Sequence, residues 1–178
     1  MDLLAMPRLS VPSHPFPRPY FVFFAGVEPF LTIIGAAKAV IWPAHFHSTL
    51  IPTSLAPPLV PKAAHAATVM AVRQLGNTYG LLALVAAVVL PTMRRTLADK
   101  PADLEACLRA YLGCLAFADV THIALTLFDL GLEGAVHPFT HWNQLVWGNV
   151  GITTCLFVVR SLWFLGIGRS SARKDRTE

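Results

Sequence analysis

The sequence predicts an all-α fold, a four-helix transmembrane bundle with both termini in the cytoplasm, and three observations predict it. The chain is far more apolar than a soluble domain: 54% of its 178 residues are hydrophobic, 13% are charged, and the mean hydropathy is +0.55. A soluble domain of this size carries roughly a quarter charged residues. The apolar residues gather in four runs, each long enough at ~1.5 Å per residue to cross a ~30 Å hydrocarbon core. The basic residues lie almost entirely on one side of those runs.

Residues 1–19 hold five prolines and two arginines but no sustained apolar core of a secretory signal. An irregular, surface-lying lead-in is expected there. The first span is expected at about 20–42, opened by Pro19 and closed by Pro43, with aromatic residues at both ends as in an interfacial belt. The second runs over about 66–90 and stops at Pro91. The third covers about 103–128, with Asp103 as N-cap and an end before Asp129 and Gly131. The fourth covers about 142–166, so the transmembrane domain occupies 20–168 and a basic tail follows at 169–178. Helix is the only reading, because a segment crossing lipid must satisfy its own backbone hydrogen bonds.

Charge placement sets the orientation. Arg8 and Arg18 precede the first span, Arg94, Arg95 and Lys100 separate the second from the third, and Arg169, Arg173, Lys174 and Arg176 follow the fourth. With four spans these nine residues share one face, and only Lys62 lies on the other. The excess of positive charge on the inside places that face in the cytoplasm. It also accounts for the net charge of +4 as a membrane-surface feature, so no nucleic-acid partner is expected. Endoplasmic reticulum is the default membrane for a multispan chain without other organelle signals.

The opposite loops are rich in proline and histidine. His45-x-His47 and His137-x-x-x-His141 are permissive for a metal, but Pro138 interrupts the second pair and no carboxylate or cysteine completes a set. No metal and no organic cofactor is expected. Cys107, Cys114 and Cys155 have no paired spacing and read as buried small hydrophobes.

Polar residues inside the spans carry the functional information. The first span has Glu28-Pro29 and Lys38, the second Arg73, Asn77 and Tyr79, the third Asp119 and His122, and the fourth Trp147-Gly-Asn149-Val-Gly151 and Arg160. An ionised group at mid-bilayer costs ~2.5 kcal/mol or more, so these side chains are expected to face inward and meet partners. Arg73 and Asn77 are four apart and Asp119 and His122 three apart, which puts each pair on one helix face. Counted along the helices, Glu28 lies ~12 Å from the cytoplasmic end and Asp119 ~24 Å, while Arg73 and Asn149 lie ~10 Å below the far surface. One polar pocket weighted toward the far leaflet is expected, fed by all four spans, with Arg73 available to pair with Asp119. Lys38 and Arg160 are near span ends and are expected to snorkel to the interface. Gly113, Gly148 and Gly151 are expected to allow close helix packing. Buried polar groups also serve membrane bundles as structural glue, which is the competing reading of the same residues.

The set Glu28-Pro29, Arg73-x-x-x-Asn77-x-Tyr79, Asp119-x-x-His122 and Trp147-Gly-Asn149-Val-Gly151 resembles a family of small fungal four-span integral membrane proteins of poorly defined function, over roughly residues 19–168. Members of that family occur among fungal secondary-metabolite genes. A looser chemical likeness is to the sterol isomerases of the emopamil-binding-protein type and to fungal integral-membrane terpene cyclases, which use protonating acids in an apolar cavity. The resemblance implies a membrane-embedded isomerase or terpene cyclase using proton-initiated chemistry on an isoprenoid or sterol-like substrate. A carboxyl group in an apolar setting keeps its proton and can donate it.

Glu28 or Asp119 would be the acid, and Glu28 is the better one if Arg73 holds Asp119 ionised. His122 would orient the acid or collect the final proton. Arg73, Asn77 and Asn149 would position a polar end of the substrate, and Tyr79 and Trp147 would shield the cation. The alternative is a non-enzymatic lipid- or sterol-binding or accessory membrane protein. A homo-oligomer is left open by the sequence.

Overall fold

In the computed structural model, which describes residues 14–55 and 64–169, the chain is built from helices, with no strand among the described residues. Four helices are long and apolar enough to cross a membrane: Arg18–Ile41, Ala66–Thr96, Pro101–Val136 and Gln144–Phe164. Those lengths fit a multi-pass integral membrane protein. Large apolar side chains point outward, with Phe117 72%, Phe128 81% and Phe139 92% exposed. Such a surface suits lipid and not water. Arg8, Lys62, Arg173, Lys174 and Arg176, and with them most of the expected lead-in and basic tail, lie outside the described residues.

The helix ends differ from the ends of the apolar runs. The second span continues through Pro91 to Thr96. Proline removes only one intrahelical hydrogen bond, and the Thr92 hydroxyl donates to the Val88 carbonyl beside the gap. The third span begins at Pro101, the favoured first helical position for proline, so Asp103 lies inside its first turn and is no N-cap. It also passes Asp129. The long helix ends at Gly131, close to the expected boundary, where a φ of 69° and ψ of 177° are not helical, and a separate short helix follows to Val136. A residue with a Cβ would be strained there. The fourth span starts at Gln144, with Asn143 as N-cap accepting from the Val146 N–H. A short helix, Pro43–Ser48, occupies part of the expected loop after the first span.

The first and second spans form one close pair and the third and fourth another. The first pair meets at Gly76. A Cβ there would come within 2.7 Å of Val40 Cγ2 and 3.0 Å of both the Ala36 carbonyl oxygen and Ala39 Cβ. Gly113, Gly148 and Gly151 are not the close-packing glycines expected: a Cβ would meet nothing at Gly148, Phe164 at 3.9 Å at Gly113, and only Trp147 of the same helix at Gly151. The three cysteines are exposed and not buried, because each lies on an outward helix face.

Both ends of the bundle are tied. At the basic end an apolar core joins Phe16, Phe24, Leu90, Leu108, Leu112 and Trp163. The lead-in is not surface-lying here, since Phe16 is fully buried and the Trp163 indole donates to the Pro15 carbonyl at 3.0 Å. Arg169 donates to Glu105 at 3.0 Å and stacks 4.1 Å from the Trp163 ring, while Glu105 also accepts from Arg109 at 2.8 Å. At the far end Asn143 donates to the Thr49 carbonyl at 2.8 Å and Trp142 to the Gly134 carbonyl at 2.7 Å. Arg18, Arg94, Arg95, Lys100 and Arg169 sit together at the first of these ends, with Arg94 4.3 Å over the Phe21 ring.

The Gly76 contact yields a direct test. Gly76→Leu is expected to lower the stability of the detergent-solubilised protein by about 1–3 kcal/mol through overpacking. Gly80→Leu, where a Cβ meets nothing within 4 Å, is expected to leave it nearly unchanged. Thermal unfolding followed by size-exclusion of a fluorescent fusion distinguishes the two.

Candidate functional site

Three charged side chains from three different spans meet inside the bundle. Arg160 of the fourth span donates from one guanidinium nitrogen to Oδ2 of Asp119 on the third and from another to Oε1 of Glu28 on the first. All three are buried: Arg160 is 1% exposed, Asp119 7% and Glu28 8%.

Helical register places them. Glu28 is four residues after Phe24, and Arg160 is three residues before Trp163, both members of the basic-end core. Each charge therefore lies one turn deeper than that core on the same helix face. Asp119 lies two turns beyond Leu112 of the same core on the third span. The core closes the triad off from the basic end, and the Phe24 ring is 5.8 Å from the Arg160 guanidinium carbon. The backbone is unusual just before Glu28. Phe23–Val27 forms a wide π turn in which the Glu28 N–H donates to the Phe23 carbonyl, and Pro29 comes next with no N–H to donate. Such turns recur at functional sites. A second one, Trp147–Ile152, opens the fourth span.

Two atoms of the triad are buried with no hydrogen-bond partner among the described residues, Glu28 Oε2 and Arg160 Nε. The charge count is equally specific. Two carboxylates against one guanidinium leave one net negative charge, and a single proton on either carboxyl makes the set neutral.

The triad corrects two expectations. Arg160 does not snorkel; it is the central cation. Asp119 pairs with Arg160 and not with Arg73, which is exposed. In this part of the second span Val72 and Gly76 are the buried positions. Arg73 and Asn77 come one residue after them, ~100° around the helix, and so turn away from the interior. The acids accordingly lie beside the basic-end core and not in a pocket weighted to the far leaflet.

The remaining candidates separate from the acids. His122 is half-buried three residues beyond Asp119, toward the far end. Tyr79 packs on the far-end cluster of Ala39, Phe46 and Val72, with its ring 3.7 Å from where a Cβ on Gly35 would be. Trp147 is 40% exposed and lies 4.8 Å from the Trp142 ring, and Asn149 is half-buried within the π turn. Arg160 is the site residue that sequence reasoning misplaces. A signal for it exists: it lies ~9 Å from the end of its span, close to the ~12 Å found for Glu28 on the neighbouring helix from the same face.

The histidines of the far loops form no group of three metal-ligating residues among the described residues. His141 is hydrogen-bonded to Ser54 at 3.1 Å and lies 3.5 Å from Glu133.

Fold and site together define a small bundle of four potential membrane-crossing helices, locked internally by one arginine shared between two acids. The chain belongs to the family described as Domain of unknown function (DUF7704), whose model matches residues 13–170 and so includes the whole triad. No curated protein and no solved structure matches the chain significantly.

Removing the shared cation tests the electrostatics. Arg160→Met is expected to destabilise the solubilised protein by about 3–5 kcal/mol, because it strands two buried carboxyls. Arg160→Lys restores only part, since an ammonium lacks the planar fork that reaches two acids at once. Glu28→Gln/Asp119→Asn/Arg160→Met, which removes all the charges together, is expected to recover most of the loss in the same unfolding assay.

Proposed function

We propose that the protein is a membrane-embedded isomerase or terpene cyclase that protonates an isoprenoid or sterol-like substrate drawn from the bilayer, with Glu28 as the acid. The observation that carries this reading is the buried Oε2 of Glu28, left without a partner while Oε1 is held by Arg160. A carboxyl fixed by one oxygen and free at the other can hold a proton on the free oxygen and direct it at an alkene or epoxide. Asp119 shares Arg160 and keeps the guanidinium in place. His122, one turn from Asp119, would collect the final proton, and the Phe24 ring, 5.8 Å from the Arg160 guanidinium carbon, would face the cation. Tyr79, Trp147 and Asn149 would contact parts of the substrate remote from the acid, whereas Arg73 and Asn77 face outward and would meet it only at the bundle surface.

A non-enzymatic lipid- or sterol-binding or accessory role is the second reading. It is favoured by two recesses in the bundle surface, neither of which is lined by Glu28 or Asp119. Yeast microsomes supplied with a panel of isoprenoid and sterol substrates separate the two. An isomerised or cyclised product is expected from the wild type and is expected to fall by about 100-fold or more in Glu28→Gln at matched protein level. No product from any substrate, with lipid co-purifying equally with wild type and variant, establishes the second reading instead.

The basic end is proposed to face the cytoplasm, in the endoplasmic reticulum, on the charge asymmetry of the loops. An Asn-x-Ser acceptor inserted between the first and second spans is then expected to be glycosylated, and one appended after the fourth span to remain unmodified. The reverse pattern on a gel inverts the topology.

A further inference from the structure

The far end of the bundle holds a recess of about 300 Å³ between the end of the first span, the helix Pro43–Ser48 and the start of the fourth span. Lys38, Trp42, His45, Asn143, Gln144 and Leu145 contribute to its wall. Lys38 makes no ion pair among the described residues, and no carboxylate lines the recess. Lys38 is exposed at the recess and brings a positive charge to it with no counter-charge among the lining residues, which leaves room for an anion.

The recess is held in shape by groups that are already satisfied. Asn143, part of its wall, donates from Nδ2 to the Thr49 carbonyl at 2.8 Å and accepts at Oδ1 from the Val146 N–H at 2.9 Å. The Trp147 N–H is taken by the Asn143 carbonyl. The backbone N–H groups of Gln144 and Leu145 are the first-turn donors that an intrahelical partner cannot reach, and the positive end of the fourth-span dipole lies with them. Trp42, Phe46 and Leu145 supply apolar walls.

Depth argues for the occupant. Lys38 is three residues, ~4.5 Å, from the end of the first span, and Trp42 marks the interfacial level at which headgroups lie. A second, shallower recess lined by Ile33, Ala37, Val40, Gly76 and Leu81 is apolar and open, and offers no such charge.

We propose that the Lys38 recess binds the anionic headgroup, phosphate or carboxylate, of a single-chain lipid in the far leaflet. The site is independent of acid chemistry at Glu28, ten residues away on the same helix. Lys38 and His45 meet the charge, and the chain leaves along the apolar wall toward the bilayer.

Native mass spectrometry of the detergent-purified full chain tests this with oleoyl lysophosphatidic acid, oleate, monoolein and inorganic phosphate. Both anionic amphipaths are expected to bind, and their affinity to fall about tenfold in Lys38→Gln, the loss of one favourable charge contact. Lys38→Arg is expected to retain binding. Arg95→Gln, an exposed basic residue at the other end, is expected to bind like the wild type and so to exclude a general charge effect. Equal binding by wild type and Lys38→Gln, with both monodisperse, overturns the proposal. Monoolein binding as tightly as lysophosphatidic acid overturns the anionic headgroup, and inorganic phosphate binding as tightly overturns the lipid.

Discussion

Arg160 is shared between Glu28 and Asp119, and the arrangement of the bundle depends on that sharing. The first and second spans hold each other through small residues at Gly76, Ala36 and Ala39, and the third and fourth spans hold each other separately. Between the two pairs the deepest polar connection is the guanidinium. Its planar fork offers several N–H donors, so one side chain reaches carboxylates on two other helices. In lipid no hydrophobic force drives helices together, and a buried charge without its partner is far costlier than in water. An arrangement that separates the pairs leaves Arg160 with Asp119 but strands the Glu28 carboxyl. The triad therefore selects one packing among the many open to four apolar rods.

The local backbone serves that interaction. Glu28 comes after a wide π turn and precedes a proline, so the helix is altered on both sides of the acid. An extra residue in one turn rotates the rest of the helix by most of ~100°, enough to bring an outward side chain inward. The first span packs Phe24 into the basic-end core and Ala36 and Ala39 against the second span. Phe24 lies inside the wide turn itself, so the change of phase begins at the first of these contacts and is complete before Ala36 and Ala39, with Glu28 directly after it facing Arg160.

Much of this architecture is legible in the sequence, and the limits have a common cause. The four spans follow from hydropathy, and the inward placement of Glu28 and Asp119 follows from the cost of exposing them to lipid. Depth counting uses the rise along a helix but not the angle around it. It sets Arg73 and Asn77 at the right kind of depth, yet they sit one residue past the buried Val72 and Gly76 and face outward. Arg160 reads as a span-end residue, although Trp163 beyond it is fully buried and carries it inside. Pro91 misleads as a span end because an apolar run reports contact with lipid, whereas a helix persists as long as its hydrogen bonds do. Gly131, with its non-helical φ and ψ, ends the long third helix close to the expected boundary, and a short further helix runs on to Val136.

The structural and chemical readings of the triad rest on the same charge count. With one proton present, two carboxyls and one guanidinium are neutral and the bundle carries no net charge at this site. Under the proposed chemistry that proton passes to a substrate, which becomes a cation while the triad becomes a net anion. The cation then forms beside a fixed negative charge, in a setting where electrostatic interactions are stronger than in water. Return of the proton at the end of the reaction restores neutrality. Under that proposal the group that fastens the helices would also supply the counter-charge, with no rearrangement of the fold between the two states.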